Sequence, residues 1–157
     1  MAIEDTKYLI FNLGAEVYGI PILKVKNIER AMDITPVPRT PGFVKGITNL
    51  RGKIIPVMDL KEKFGIGTAE ITERTCVIIV DIRTDAGLQT NGLMVDEVSE
   101  VQDILDGYIE PVPKYGETAI DQEFMTGIGK INDSVIILLD IQKILDFSES
   151  GMMAAMM

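Results

Sequence analysis

The side chains that most often carry catalysis are scarce in this chain. Its 157 residues include no His and one Cys. Without an imidazole, a Ser-His-Asp or Cys-His nucleophile pair, an H-E-x-x-H zinc site and any histidine base or metal ligand are impossible. Cys76 alone can form neither an internal disulfide nor a C-x-x-C site, and its place in TCVIIV reads as a buried apolar position. GIGTAE at 65–70 and GIGKIN at 127–132 open like phosphate loops but lack the third Gly and the Lys-Ser/Thr pair, so they read as turn or strand glycines. DIRTDAG at 81–87 begins like a calcium loop without the Glu such a loop needs at its twelfth position, and a hairpin turn fits it better. Asp96, Glu97, Glu100, Asp103 and Asp106 surround Val98, Val101 and Ile104 in the pattern of a solvated face. A carboxylate pair on that face is the one enzymatic reading left, and nothing selects a pair.

Binding is constrained by charge. Fifteen Lys plus Arg against twenty-four Asp plus Glu give a net charge of −9 and a pI near 4.5. Such a surface repels a phosphate backbone or an anionic lipid face, so no nucleic-acid or membrane partner is expected. The start MAIEDTKYLIF lacks the basic n-region of a signal peptide, and the longest charge-free run, 86–95, is half a membrane span. With one Cys, the expected location is the reducing cytoplasm.

The elements that must position any site are short. KYLIFNL, EVYGIPI, KGITNL, KIIPVM, CVIIVDI, NGLMV, FMTGIGKI and SVIILL are β-branched runs punctuated by Gly, Pro, Asn-Asp and Asp-Gly, which predicts a mainly β fold. DLKEKFGI and DIQKILDF each open on an Asp N-cap and space apolar residues one turn apart, predicting two short helices whose buried stripes are Leu60 and Phe64, then Ile141, Ile144 and Leu145.

Those two helices belong to a repeat. Residues 43–65 lie over 124–146 without gaps at an offset of 81, matching Phe43/Phe124, Gly46/Gly127, Ile47/Ile128, Ile55/Ile136 and Asp59/Asp140. A second match places Gly19–Ile28 over Gly92–Val101 at an offset of 73. Duplication of a small five-stranded barrel explains both, because two such barrels can bury a seam that neither buries alone. The expected organisation is a first barrel over 7–66 and a second over 74–147, with a strand open to exchange between them. Residues 148–157, SESGMMAAMM, form a Met-rich tail expected to be mobile.

TNLRGKIIPVMDL, residues 48–60, is the most informative segment. Arg51-Gly52 fits a hairpin tip, and Pro56, lacking an N–H, is expected on an edge or at a bulge. The pattern NLRG-x-x-x-P-V-x-D-L, preceded by TPGFVKGI, resembles the CheW family of bacterial chemotaxis coupling proteins. The likeness runs from FNLGAEVYGIPILKV through GLMVDEVSEV to FMTGIGKI and VIILLDIQKIL.

The resemblance implies two SH3-like five-stranded barrels and a non-catalytic cytoplasmic adaptor without cofactor or metal. It implies two protein partners, the regulatory domain of the histidine kinase CheA and the cytoplasmic tip of a chemoreceptor (a methyl-accepting chemotaxis protein), with recruitment to membrane-associated arrays. A coupling role in a non-chemotaxis kinase pathway fits the same residues. Receptor-facing positions implied by it are Val25, Asn27, Arg51, Val98 and Val101, with Gly46 and Gly92 allowing close backbone approach. Asn27 stands where the family often has Glu, with Glu29 two residues on. On the residues alone, the three valines read more readily as core and the two glycines as strand glycines, and the resemblance brings the interface reading of the valines level with the core one. Arg51 differs, since a guanidinium at a hairpin tip of an acidic protein is free for bidentate contacts. Tyr115 in PVPKYG is the candidate kinase anchor, with loop packing the alternative.

Overall fold

The computed structural model describes residues 6–30, 33–112 and 122–145. The fold is mainly β, with eleven strands in two sheets among the described residues. The strands are β1 (Lys7–Leu13), β2 (Glu16–Pro21), β3 (Val25–Arg30), β4 (Val44–Leu50), β5 (Lys53–Asp59), β6 (Cys76–Thr84), β7 (Gly87–Val95), β8 (Glu97–Asp103), β9 (Ile109–Glu110), β10 (Met125–Ile131) and β11 (Ser134–Leu139). Single-turn helices α1 (Leu60–Lys63) and α2 (Ile141–Ile144) follow β5 and β11. Their caps are as predicted. The Asp59 carboxylate accepts from the Lys61 amide at 2.9 Å and that of Asp140 from the Lys143 amide at 3.2 Å. Leu60, Phe64, Ile141, Ile144 and Leu145 are all buried.

One sheet has the order β8-β1-β2-β11-β10-β9 and the other β3-β6-β7-β5-β4. The hairpin β1-β2 therefore sits among the late strands, and the hairpin β6-β7 among the early ones. The repeat survives this interleaving in atomic detail. Gly46 pairs with Val57 and Gly127 with Leu138, each beside a register shift. Val57 lies parallel to Gly92, and Leu138 parallel to Gly19. The Asp59 amide donates to the Phe43 carbonyl at 2.7 Å, as that of Asp140 does to Phe124 at 2.8 Å. Thr35 bridges Ile47 where β9 bridges Ile128.

Strand periodicity then explains the core. On β6, Cys76, Ile78, Val80 and Ile82 enter a cluster shared by both sheets, whereas Val77 and Ile79 enter a second cluster belonging to their own sheet. On β1, Leu9, Phe11 and Leu13 face the shared seam while Ile10 joins a third cluster with Ile104, Ile136 and Leu138. Aromatic rings run through the seam from Phe11 to Tyr18 to Phe64 to Phe124, with centroids 5.9, 5.9 and 6.2 Å apart. The Lys63 ammonium lies 4.3 Å from the Phe43 ring centre and 5.5 Å from that of Phe124, and burial lowers its pKa.

One expectation needs correction. Pro56 occupies β5, an interior strand between β7 and β4 rather than an edge strand, although pairing with β7 begins only at Val57 and the register shift of the β4–β5 pair falls opposite the neighbouring Val57 and Met58. It is tolerated because its partner Ile47 exchanges both backbone hydrogen bonds with Thr35, at 2.8 and 2.9 Å, so the missing N–H leaves no ladder acceptor empty on that side.

Candidate functional site

Arg51 and Gly52 form the two-residue turn between β4 and β5, with φ of +51° and +87°. Positive φ at both positions matches the twist of a tight hairpin, and the Gly52 amide donates to the Asn49 side chain at 3.0 Å. The Arg51 side chain is about three-quarters exposed. Its guanidinium reaches Glu29 Oε2 at 3.9 Å, and Asn27 Nδ2 donates to the same oxygen. Glu29 thus supplies a carboxylate beside Arg51 although Asn27 holds the position where a Glu would be expected. Asn27 and Arg51 also line one half-open groove of about 230 Å³ at the mouth of the five-stranded sheet's own core.

The valines lie elsewhere. Cross-strand partners share a face, so Val25, opposite Val80, and Ile28, opposite Ile78, face the seam from β3. From β8, Val98 opposite Phe11 and Val101 opposite Leu9 face it in the same way. Val25 and Val98 are half-buried against the shared core, while Ile28 and Val101 are 40% and 45% exposed. Each sheet therefore ends in a strand whose apolar pair rims the seam. Ile28 was missed in the sequence, where the charges of KVKNIER hide it.

Gly46 and Gly92 are both buried, and their need for glycine is internal. At Gly46, φ is +146° and a Cβ would stand 2.0 Å from the Thr35 carbonyl oxygen. A Cβ on Gly92 would stand 2.7 Å from a Val77 methyl. Tyr115 falls outside the described residues, as does 148–157.

The acidic face carries its own partners. Asp96 accepts from the Gly14 amide at 2.7 Å and pairs with Lys61 at 3.3 Å, and Glu97 lies 3.9 Å from Arg74. Hydrogen bonds from the Thr6 hydroxyl and the Lys7 ammonium pull the Asp103 carboxyl below its ordinary pKa, the direction opposite to that of a general acid at neutral pH.

Residues 7–149 match the family model of the CheW-like domain. The chain belongs to the CheW-like family. Among relatives of this CheW-like chain, the chemotaxis protein CheW of Klebsiella aerogenes is 39% identical over 146 residues, 93% of this chain and 85% of that protein. Protein FrzA of Myxococcus xanthus is 30% identical over 141 residues, 90% of this chain and 86% of that one. The crystal structure of the scaffolding protein TtCheW from Thermoanaerobacter tengcongensis superposes on the CheW-like fold with a TM-score of 0.81 at 41% identity, covering 92% of this chain and 90% of that one.

Proposed function

We propose that the chain is a non-catalytic cytoplasmic adaptor that couples the cytoplasmic tip of a chemoreceptor to the regulatory domain of the histidine kinase CheA, and that it is recruited to membrane-associated arrays through those partners. The match to the CheW-like family over residues 7–149 carries this reading. The geometry supports it. Two half-exposed apolar pairs, Val25 with Ile28 and Val98 with Val101, offer anchors at the seam for the apolar stripe of a helix. Arg51 adds an exposed cation at a hairpin tip for the receptor, and Tyr115 is the proposed kinase anchor. Asp96, Glu97 and Asp103 hold structural partners, which disfavours acid–base catalysis by these carboxylates. A coupling role in another kinase pathway is the second reading, favoured by the likeness to FrzA.

Reversing one charge tests the separation of surfaces. Arg51→Glu leaves the hairpin in place and changes stability by less than about 1 kcal/mol, the range of exposed substitutions. Binding to a purified receptor cytoplasmic fragment is expected to weaken at least tenfold, as for loss of a charge-assisted contact, while binding to the kinase regulatory domain stays near wild type. Equal loss for both partners, or loss for neither, contradicts the assignment of Arg51.

A further inference from the structure

The duplication makes each sheet a control for the other, and the comparison isolates one feature. The groove at the mouth of the five-stranded sheet has an apolar floor of Leu50, Ile55 and Ile79. The corresponding positions of the six-stranded sheet are also apolar: Ile131, Ile136 and Ile10. The rim does not follow. Lys26, Arg51 and Lys53 on the groove correspond to Ser99, Asn132 and Ser134, and Asn27 corresponds to Glu100. The scaffold therefore demands the floor and is indifferent to the rim, yet a chain of net charge −9 gathers three cations around one mouth and none at the equivalent rim positions of the other.

These cations are loosely held. Arg51 lies 3.9 Å from Glu29 and Lys26 lies 3.9 Å from Asp81, a carboxylate that also accepts from the Thr90 hydroxyl at 2.7 Å. Lys53 has no ion pair among the described residues. About 230 Å³ is less than the roughly 300–1,000 Å³ of small-molecule sites, and fits one or two side chains of a polypeptide.

We propose that this groove is a second docking subsite, distinct in chemistry from the apolar seam, which takes an acidic segment of a partner protein by seating an apolar side chain on Leu50, Ile55 and Ile79 between carboxylates held by Arg51 and Lys53. That the occupant belongs to a protein rests on the adaptor reading; the preference for carboxylates rests on the groove. Specificity comes from the rim, because the floor alone is common to both sheets. Its affinity falls with salt, as expected of exposed charge pairs.

The test uses the full chain and a fluorescent synthetic peptide with Glu residues flanking a central Leu, read by anisotropy beside its Glu→Gln counterpart. The Glu peptide is expected to bind at least tenfold more tightly than the Gln peptide, and the advantage to shrink as salt is raised. The triple variant Lys26→Ser, Arg51→Asn, Lys53→Ser copies the rim of the other sheet, where Asn132 already holds the positive φ of that turn. It is expected to lose the tenfold advantage while melting within a few degrees of wild type. If the triple variant fails to fold, Lys53→Ser alone, exposed and unpaired, is expected to reduce binding several-fold. Failure of wild type to bind, equal binding of the two peptides, or an advantage kept in the rim variants overturns the proposal. So does a concentration-dependent dimer that excludes the peptide, since the occupant is then a second copy. If the peptide prefers the groove but neither receptor fragment nor kinase domain is captured, the adaptor reading falls and the subsite stands. The reverse pattern sinks the subsite alone.

Discussion

Arg51 and Gly46 sit five residues apart on one hairpin, and their side chains, or the lack of one, answer to different demands. Arg51 tolerates its positive φ at an open turn, and its guanidinium is left for solvent or a partner. Gly46 has no such freedom, because a methyl group there would collide with the Thr35 carbonyl. Gly46→Ala is expected to destabilise by about 3 kcal/mol or more through strain and steric displacement together, measured by chemical denaturation. Gly127→Ala, at the equivalent place without a positive φ and facing chiefly an Ile109 methyl, is expected to cost less; equal costs would contradict this account of Gly46. Tyr18 gives a pH test. Burial in the seam, then the charge of Glu16, raises its phenol from an ordinary 10.0 to about 12. The folded state holds that proton more tightly than the unfolded chain, so its contribution is complete below pH 10 and disappears as pH rises through 10 to 12. Stability is therefore expected to fall across that window, and Tyr18→Phe to flatten the fall. An unchanged slope in the variant would contradict burial of the hydroxyl.

Elements of ordinary period were legible in the residues, and those with a break in period were not. Ser134–Leu139 and Lys7–Leu13 alternate or run apolar without interruption and were read with their observed bounds. β3 and β8 escaped as strands because Val25 and Ile28, like Val98 and Val101, are three residues apart, a helical spacing. In each strand a register shift inserts one extra residue, Lys26 or Ser99, and returns both apolar side chains to the same face. The two-residue β9 carries too short a pattern to register at all. Helices α1 and α2 were legible for the opposite reason, since an Asp cap followed by apolar residues at one-turn spacing survives in a single turn. Truncating Ile144 to Ala is expected to cost on the order of 2–5 kcal/mol, the range for a buried large-to-small change, and a loss below about half a kcal/mol would mean that the stripe is exposed.

At the scale of the whole molecule, duplication was visible in the sequence and an exchanged strand was allowed for, but which elements cross between the halves was not visible. Side-chain period tells which face of a strand is buried, not which sheet the strand joins. The structure sends one hairpin from each half into the sheet of the other, and the shared cluster draws on both sheets and both helices. Residues 1–66 expressed alone are therefore expected to remain unfolded, whereas the full chain unfolds in one cooperative transition; a folded 1–66 fragment would contradict the interdependence of the sheets. The site divided in the same manner. The family pattern pointed to Arg51 and the seam valines as candidates, but the groove at the mouth of the five-stranded sheet required the register, which brings Lys26 and Lys53 from separate strands to the rim beside Arg51.

Co-sedimentation tests the adaptor claim directly. Vesicles bearing a chemoreceptor are mixed with the kinase in the presence or absence of this chain, and the kinase in the pellet is measured. Kinase is expected to pellet with receptor vesicles only when the chain is present, and less so when Arg51→Glu replaces it. Kinase that pellets equally without the chain, or stays in solution with it, would contradict the adaptor function.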